Sequence, residues 1–396
     1  MEFILHLLLI LFFAKVLGEV IERMGFSSIL GELLAGIFLG ILLISPDNEI
    51  LSSFADLGAI FLLFTAGYKE VNLKQLREAS KVAFIPTILG VALPFSLGFL
   101  LGQAFGFGFL LSLFLGVTFT PTSISVVVKT LVDYNYLSSR PGSVMLTSAI
   151  FDDIIGIFIL AVAVTIANFN QFPTNMQLIT IIGNLVTYLI IMGLLGYKVF
   201  PILFNYIHKM HVKEAIFASV VMVALFSAYL AEVFGLHAVI GAFIGGTLLS
   251  NVPFAKIEDV QRKVSGLSYG IFVPIFFAFI GISVDIGTVR TAGMFSLLVV
   301  ALALLGKLVG GLVGSKIIGF DFKDSLIFGI GMMPRAGVEL VVLSVGKKAG
   351  IITDEVFSAV VLMVAVSILV SPTLLKFAIE FKERSIRKTV IHFQCK

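Results

Sequence analysis

Hydrophobic residues run along this chain in long blocks, separated by short groups of charged and turn-forming residues. Residues 82–128 contain no Asp, Glu, Lys or Arg, and neither do residues 154–197. A helix needs about 20 apolar residues to cross a bilayer, so each of these stretches is long enough for two crossings. The pattern therefore predicts membrane-spanning helices rather than a soluble core.

Division of the chain at charges and turn residues predicts 13 hydrophobic helices. The expected fold is an all-α integral membrane protein with 13 transmembrane helices. The predicted segments are residues 3–22, 28–45, 51–68, 82–103, 107–131, 141–167, 177–204, 212–234, 236–252, 266–284, 292–317, 324–346 and 355–379.

Composition agrees with a membrane protein. Hydrophobic residues make up 59% of the chain and charged residues 13%, whereas a soluble domain carries about 25% charged residues. The single cysteine, Cys395, excludes an intrachain disulfide, and the five scattered histidines give no cluster for a transition metal. We expect no cofactor, no nucleic-acid partner and no enzymatic chemistry.

Lysine and arginine fall mostly on one side of the predicted topology. With the C-terminus in the cytoplasm, 21 of the 27 basic residues lie in inner loops or the tail, and three lie in outer loops. Because basic residues favour the cytoplasmic side, we predict a multi-pass protein of the cell membrane with its N-terminus outside and its C-terminus inside. The first segment lacks a basic leader and a cleavage site, so it is predicted to be a mature helix. The basic tail, residues 380–396, is expected to lie against anionic lipid.

The chain contains a weak internal repeat. Residues 30–43 are similar to residues 236–249 at an offset of 206, residues 64–71 to 278–286 at about 214, and Pro121 corresponds to Pro334 at 213. The offset spans seven segments, an odd number, so the two copies must be oppositely oriented. Inverted repeats of this kind are typical of secondary transporters. We therefore predict a single transporter domain, 1–396, with a first repeat at 3–167, a linker helix at 177–204 and an inverted second repeat at 212–379.

Pro121 and Pro334 interrupt two predicted helices at corresponding positions. A proline within a helix removes a backbone hydrogen bond and clashes with the preceding turn. The simpler interpretation is a kink that neighbouring hydroxyls satisfy. For a symmetric pair, we favour two broken helices that cross near the middle of the membrane, because unpaired backbone groups at that depth line a cavity or are buried in protein. Hydroxyl residues surround the first proline at Thr118, Thr120, Thr122, Ser123 and Ser125.

Asp152, Asp153 and Lys307 lie deep in predicted helices. At a rise of about 1.5 Å per residue, Asp152 is roughly 18 Å and Lys307 roughly 14 Å from the inner surface. Ionisable groups at this depth mark ion paths unless they only pair with one another. A purely structural ion pair accounts for Lys307 and one aspartate. It leaves the other aspartate, which points about 100° away on the helix, without a role.

The functional interpretation is a site where a monovalent cation and protons compete for the same oxygens. Such a cation prefers carboxylates, hydroxyls and released carbonyls, here supplied by Asp152, Asp153, Thr120, Thr122 and Ser123. Two adjacent carboxylates titrate as a coupled pair, which keeps a proton exchangeable. Lys307 is expected to neutralise the empty site. The cargo cation is the only metal expected.

Other charged residues have simpler predicted roles. Arg335 and Glu339 are four residues apart on one helix, and they either satisfy each other, or lock the broken segment or tune Lys307. Lys15 and Glu19 are interpreted as another pair at this spacing. The glycines are interpreted as positions of close helix packing.

Four motifs carry a resemblance to a known family. TFTPTSISVVVKTL, SAIFDDIIGIF, the lysine of LLGKLVGG and GMMPRAGVEL together resemble the monovalent cation:proton antiporter superfamily, in the branch of sodium/proton antiporters and potassium/proton efflux systems. The resemblance implies a homodimer with a dimer domain and a core domain that slides like an elevator. Segments four to six and eleven to thirteen would form this core. It also implies that Asp153 carries the cation and the proton, and that Asp152 pairs with Lys307.

Sodium or lithium exchange for protons is therefore the predicted activity. The chain ends without the nucleotide-binding domain of many potassium efflux members, which favours sodium. The alternatives are a potassium/proton antiporter of the same family, a cation channel, and a proton- or sodium-coupled organic anion symporter. An intramembrane aspartyl protease needs aspartates on two facing helices, which adjacent residues do not provide.

Overall fold

The secondary structure of the computed structural model is helical, with no β-strand among the residues it describes. These residues are 2–46, 48–69, 73–123, 139–168, 175–252, 257–285 and 293–394, together with single positions at 126, 131, 134, 136, 255 and 287. Side chains at 2, 73–81, 168, 175–182, 185 and 385–394 are outside this description. Parts of the segment that follows Pro121 and residue Cys395 therefore lie outside the described residues.

The helices lie on the hydrophobic blocks, although several begin or end away from the predicted bounds. The helices are α1 (Glu2–Arg23), α2 (Ser28–Leu42), α3 (Glu49–Lys69), α4 (Leu73–Ala104), α5 (Phe109–Thr118), α6 (Arg140–Asn168), α7 (Asn175–Leu194), α8 (Phe200–Ile207), α9 (Ala215–Val233), α10 (Ala238–Leu249), α11 (Glu258–Leu267), α12 (Val273–Ile282), α13 (Gly293–Ile317), α14 (Phe322–Gly331), α15 (Val338–Lys348) and α16 (Asp354–Gln394).

Nine helical stretches among the described residues are long and apolar enough to cross a membrane. Three further apolar helices are shorter: α2, α5 and α10. These results support an all-helical, multi-pass membrane protein.

Two spans contain a π-helical turn. Residues Leu195–Val199 join α7 to α8, and residues Ser268–Phe272 join α11 to α12. In both cases a proline, Pro201 or Pro274, is the second residue of the following helix. Because proline cannot donate to the preceding turn and its ring crowds that carbonyl, the wider π turn accommodates it.

The chain divides into two compact units. Unit 1 contains Met1–Leu76, Ile157–Val284 and Ser344–Ile351, and unit 2 contains Arg77–Gly156, Asp285–Leu343 and Ile352–Lys396. Unit 2 therefore holds most of the segments that the resemblance assigns to the core. Helices α4, α6 and α15 each contribute residues to both units.

Glycines bring helix backbones together in unit 1. A Cβ added at Gly36 of α2 would meet the main-chain oxygen of Ala278 in α12, and one at Gly246 of α10 would meet that of Phe64 in α3. Close backbone approach at small residues is the usual way that helices associate in membranes. The interpretation of these glycines as packing positions is confirmed.

The predicted pair of Lys15 and Glu19 in unit 1 is wrong. Lys15 instead donates to the main-chain oxygen of Tyr269 at 2.7 Å and lies 3.7 Å from the carboxylate of Glu32. Glu19 pairs with Arg23 at 2.7 Å. Glu32 is buried, so Lys15 compensates a carboxylate that would otherwise lie uncompensated inside the unit.

Unit 2 packs the helix of Lys307 against α4. Added Cβ atoms at Gly306, Gly310 and Gly314 of α13 would lie 2.9 Å from Pro94, 2.6 Å from the oxygen of Leu89 and 2.5 Å from Pro86, respectively. These glycines recur every four residues, so they share one face of the helix. The face fixes α13 against α4 along the turns next to Lys307.

A polar cluster at one end of unit 2 joins α16 to the residues that follow α5. Tyr136 donates to Asp324, which also pairs with Lys382, and Tyr134 donates to Glu380 at 2.9 Å. Burial and the Asp324 carboxylate both raise the pKa of Tyr136, so its hydroxyl remains a donor. The cluster therefore holds the loop before α6 and the start of α14 on the last helix.

Candidate functional site

The site is built where two chain segments of unit 2 leave the helical conformation. Helix α5 ends at Thr118 and residues 119–123 are not helical, while α14 ends at Gly331 and α15 begins at Val338. The backbone N–H of Ser123 donates to the oxygen of Pro334 at 2.8 Å. The two interrupted segments therefore meet at Pro334, and each supplies a partner for backbone groups that a helix would have paired internally.

Asp152 lies fully buried on α6 beside this meeting point. Its Oδ2 atom accepts from the Lys307 ammonium at 2.5 Å and from the Thr122 hydroxyl at 2.8 Å. Its Oδ1 atom accepts no hydrogen bond from the described residues. The Lys307 ammonium and the Thr122 hydroxyl thus compensate the Asp152 carboxylate through one oxygen. The other oxygen, Oδ1, is available as a ligand for a cation.

Asp153 is half-buried at the next helical position, where its side chain points about 100° away from that of Asp152. Its helix stays close to the first interrupted segment one turn later. A Cβ added at Gly156 would lie 3.2 Å from the side chains of Pro121 and Thr120. The two aspartates are thus unequal, since Asp152 holds the lysine and Asp153 lies in a more open environment.

The predicted hydroxyl ligands are arranged differently from one another. Thr122 contacts Asp152, whereas the buried Thr120 donates to the oxygen of Val117 at 2.9 Å, within its own turn. Ser123 takes part through its backbone N–H. In this geometry Thr122 is the threonine that contacts the ion pair.

Arg335 and Glu339 are also buried, but their contact is loose. The nearest atoms, Nη1 of Arg335 and Oε1 of Glu339, are 3.9 Å apart. Arg335 donates instead to the main-chain oxygens of Thr118 and Pro121 at 3.3 and 3.0 Å, and Ala336 donates its N–H to Glu339 at 3.2 Å. The alternative in which Arg335 locks the broken segment therefore agrees with the structure better than mutual satisfaction.

Sequence reasoning missed Ser367 of α16, which is fully buried against the backbone of Arg335. A serine within an apolar helix carries no signal of its own. Its position could be found only from the interrupted segment opposite, whose backbone groups need partners from outside a helix.

Buried opposite charges at the meeting point of two interrupted helices define the class of ion-coupled membrane transporters. The chain belongs to the family described as "Sodium/hydrogen exchanger, transmembrane", whose match covers residues 8–380. Membership of the cation:proton antiporter superfamily, predicted from four motifs, is thereby confirmed.

Named relatives resemble the chain over almost its whole length. It is 30% identical to the Na(+)/H(+)-K(+) antiporter GerN of Bacillus cereus over 388 residues, which cover 98% of both chains. It is also 30% identical to a Na(+)/H(+) antiporter of Enterococcus hirae, over 95% of this chain and 98% of the relative.

A solved structure shares the fold. The sodium proton antiporter MjNhaP1 from Methanocaldococcus jannaschii matches with a TM-score of 0.73 over 96% of this chain and 99% of the other. The sequence identity in this comparison is 17%, so the match shows the fold alone.

Proposed function

We propose that the chain exchanges sodium or lithium for protons across the cell membrane. The observation that carries the proposal is the buried Asp152–Lys307 ion pair, with Thr122 on the same carboxylate oxygen, where two interrupted helices meet. The names of the relatives from Bacillus cereus and Enterococcus hirae support cation/proton exchange.

Competition for carboxylate oxygens would couple the two fluxes. Asp153 acts as the carrier, because its environment is more open while Asp152 is held by Lys307. Binding of the cation expels protons from the pair, and protonation expels the cation. Lys307 balances the charge of Asp152 when the cation is gone, so the buried site never holds an uncompensated carboxylate.

The proposed architecture has 13 crossings, two inverted repeats and a homodimer. In this count, each interrupted segment is one crossing, although its helix is broken in the middle. The two helices on either side of a π turn are likewise counted together as one crossing. Unit 2 serves as the elevator core and carries the site between the two sides of the membrane. The distribution of lysine and arginine supports a cytoplasmic C-terminus.

Potassium/proton exchange is the second candidate. The relative from Bacillus cereus is named a Na(+)/H(+)-K(+) antiporter, and its identity to this chain is as high as that of the relative named for sodium alone. Cation choice depends on the size and field of a few oxygens, so a family fold of this kind is compatible with either ion.

A vesicle assay with a series of cations tests the proposal. Reconstituted protein is expected to dissipate an imposed pH gradient when sodium or lithium is added. Asp153→Asn should abolish this response. Asp56→Asn is the control, since Asp56 is a partly exposed residue of unit 1 paired with Lys348. A larger response to potassium than to sodium would change the assignment of the transported ion. Full exchange by Asp153→Asn would refute the assignment of Asp153 as the carrier. No response to any cation would refute antiport.

A further inference from the structure

The buried Arg335 side chain binds main-chain oxygens from two different segments. Its Nη1 donates to Thr118 and Pro121 of the first interrupted segment, at 3.3 and 3.0 Å, and its Nη2 donates to Ala303 of α13 at 3.2 Å. A planar guanidinium directs several donors at fixed angles, so it holds these three oxygens in one arrangement.

The oxygens that Arg335 binds lie next to both partners of Asp152. Pro121 directly precedes Thr122, and Ala303 is four residues, about one helical turn, before Lys307. Arg335 therefore links the segment that supplies the hydroxyl to the helix that supplies the ammonium. A change in the position of its guanidinium would alter both contacts to Asp152 together.

Glu339 does not explain this arrangement by itself. Its Oε2 atom accepts from the N–H of Ala336, and its Oε1 atom, 3.9 Å from Arg335, accepts no hydrogen bond from the described residues. The carboxylate compensates charge at a distance and caps the start of α15. The hydrogen bonds that orient the guanidinium are those to the three carbonyls.

Ser367 fixes the backbone from which the Arg335 side chain extends. The Ser367 hydroxyl accepts from the N–H of Arg335 at 3.0 Å. It donates to the oxygen of Val364 in its own turn at 2.8 Å, and the carbonyl oxygen of Arg335 lies 3.2 Å away. Arg335 lies between α14 and α15, where no helix pairs these two groups. One hydroxyl of α16 thus supplies the acceptor for a buried backbone N–H that has no helical partner in the interrupted segment.

We propose that Ser367 and Arg335 are positioning residues for the exchange site. Ser367 holds the Arg335 backbone, and the Arg335 guanidinium holds Thr122 and Lys307 at the distances that Asp152 requires. The assignment rests on the proposed function, because its readout is the response to the transported cation.

The test compares Ser367→Ala with Ser371→Ala in the full-length protein. Ser371 lies one turn further along α16, is equally buried, and makes no hydrogen bond with the described residues. In vesicles, Ser367→Ala should raise the sodium concentration for half-maximal exchange by roughly tenfold, since it leaves the buried N–H of Arg335 without its acceptor. Ser371→Ala should change that concentration by less than about twofold.

A fall in maximal rate alone, in proportion to the amount of folded protein, would mean a structural role and would overturn the assignment. Equal half-maximal concentrations for both variants would do the same while leaving antiport intact. Absence of exchange in the unchanged protein would instead refute the proposed function, and the assignment with it.

A double variant tests whether Ser367 acts through Arg335. Arg335→Lys keeps the charge but offers one ammonium in place of the planar fork, so it should also raise the half-maximal concentration. If both residues act as one unit, Ser367→Ala should add less than about twofold in the Arg335→Lys background. Effects that multiply in full would show that Ser367 acts independently and would refute the linkage.

Discussion

Asp152 uses one carboxylate oxygen for both of its partners, the ammonium of Lys307 and the hydroxyl of Thr122. A buried ion pair is stable only when further hydrogen bonds satisfy its remaining polar atoms. Thr122 supplies one such bond, and its own segment is held by the contact between Ser123 and Pro334. The Thr122 hydroxyl thus stabilises the buried carboxylate of Asp152 through a hydrogen bond and is more than a packing contact.

Replacement of Thr122 by valine, which has nearly the same shape, should therefore weaken cation exchange. Loss of a hydrogen bond to a buried charge costs about 1.5–3 kcal/mol, so the sodium concentration for half-maximal exchange should rise by roughly tenfold or more. Thr120→Val is the matched control, because the Thr120 hydroxyl donates only within its own turn in the structure. Equal effects of the two variants in the vesicle assay would contradict the geometry.

The sequence identified the charged residues of the site but not all of their contacts. A charge deep in an apolar helix needs a partner, so the pattern of charges pairs Lys307 with one of the two aspartates, and the family resemblance indicated Asp152. Hydroxyls are harder to assign, because threonine can bond a carbonyl of its own turn, as Thr120 does. Ser367 could not be found, since its partners are backbone atoms of a distant segment.

Helix α13 carries Lys307 on a backbone that lies against α4 at three glycines. Gly306, Gly310 and Gly314 recur at the spacing of one helix face, and each allows α4 to approach within contact distance of the main chain. Movement of Lys307 relative to α4 would therefore require the two helices to separate. The close packing makes α4 and α13 one packed pair beside Lys307.

Gly310→Ala should destabilise the protein for this reason. Its Cβ would lie 2.6 Å from the main-chain oxygen of Leu89, which cannot rotate away. Overpacking of this kind typically costs about 1–3 kcal/mol, measured as a lower unfolding temperature in detergent. Gly90→Ala on the facing helix is the control, because its Cβ would meet no atom within 4 Å. A control that destabilises as much as Gly310→Ala would show that backbone flexibility, not packing, matters here.

Helix bounds were predictable where hydrophobic blocks end in charges, as in α1, α3 and α13, whose ends lie within two residues of the predicted segments. The prediction was poorer where a helix continues into polar sequence. Helix α16 extends to Gln394 beyond the predicted end at 379, and α4 begins at Leu73 rather than 82. The π turns before Pro201 and Pro274 had no hydrophobic signal, because the apolar pattern continues through them.

At the scale of the molecule, all residues of the candidate site belong to unit 2. Asp152, Thr122, Lys307, Arg335 and Ser367 come from separate parts of the chain, yet a single compact unit contains them. The residues that the proposal assigns to the site thus come from one compact unit.

Competition at one site predicts a specific dependence on pH. Protons stabilise the empty carboxylates and the cation stabilises the deprotonated ones, so a lower pH should raise the sodium concentration for half-maximal exchange. The rise should approach about tenfold per pH unit for each competing proton. Sodium titrations of vesicles at several pH values measure this directly. A maximal rate that changes with pH while the half-maximal concentration stays constant would contradict shared oxygens.

The contacts of Arg335 have a consequence for how such a site diversifies. The guanidinium binds the carbonyls of Thr118, Pro121 and Ala303, and every amino acid supplies a carbonyl in that place. A substitution that keeps the backbone in place therefore leaves these three hydrogen bonds of Arg335 intact. A change in the preferred ion would then require substitutions among the side chains that contact the transported cation, while the main-chain contacts of Arg335 stay the same.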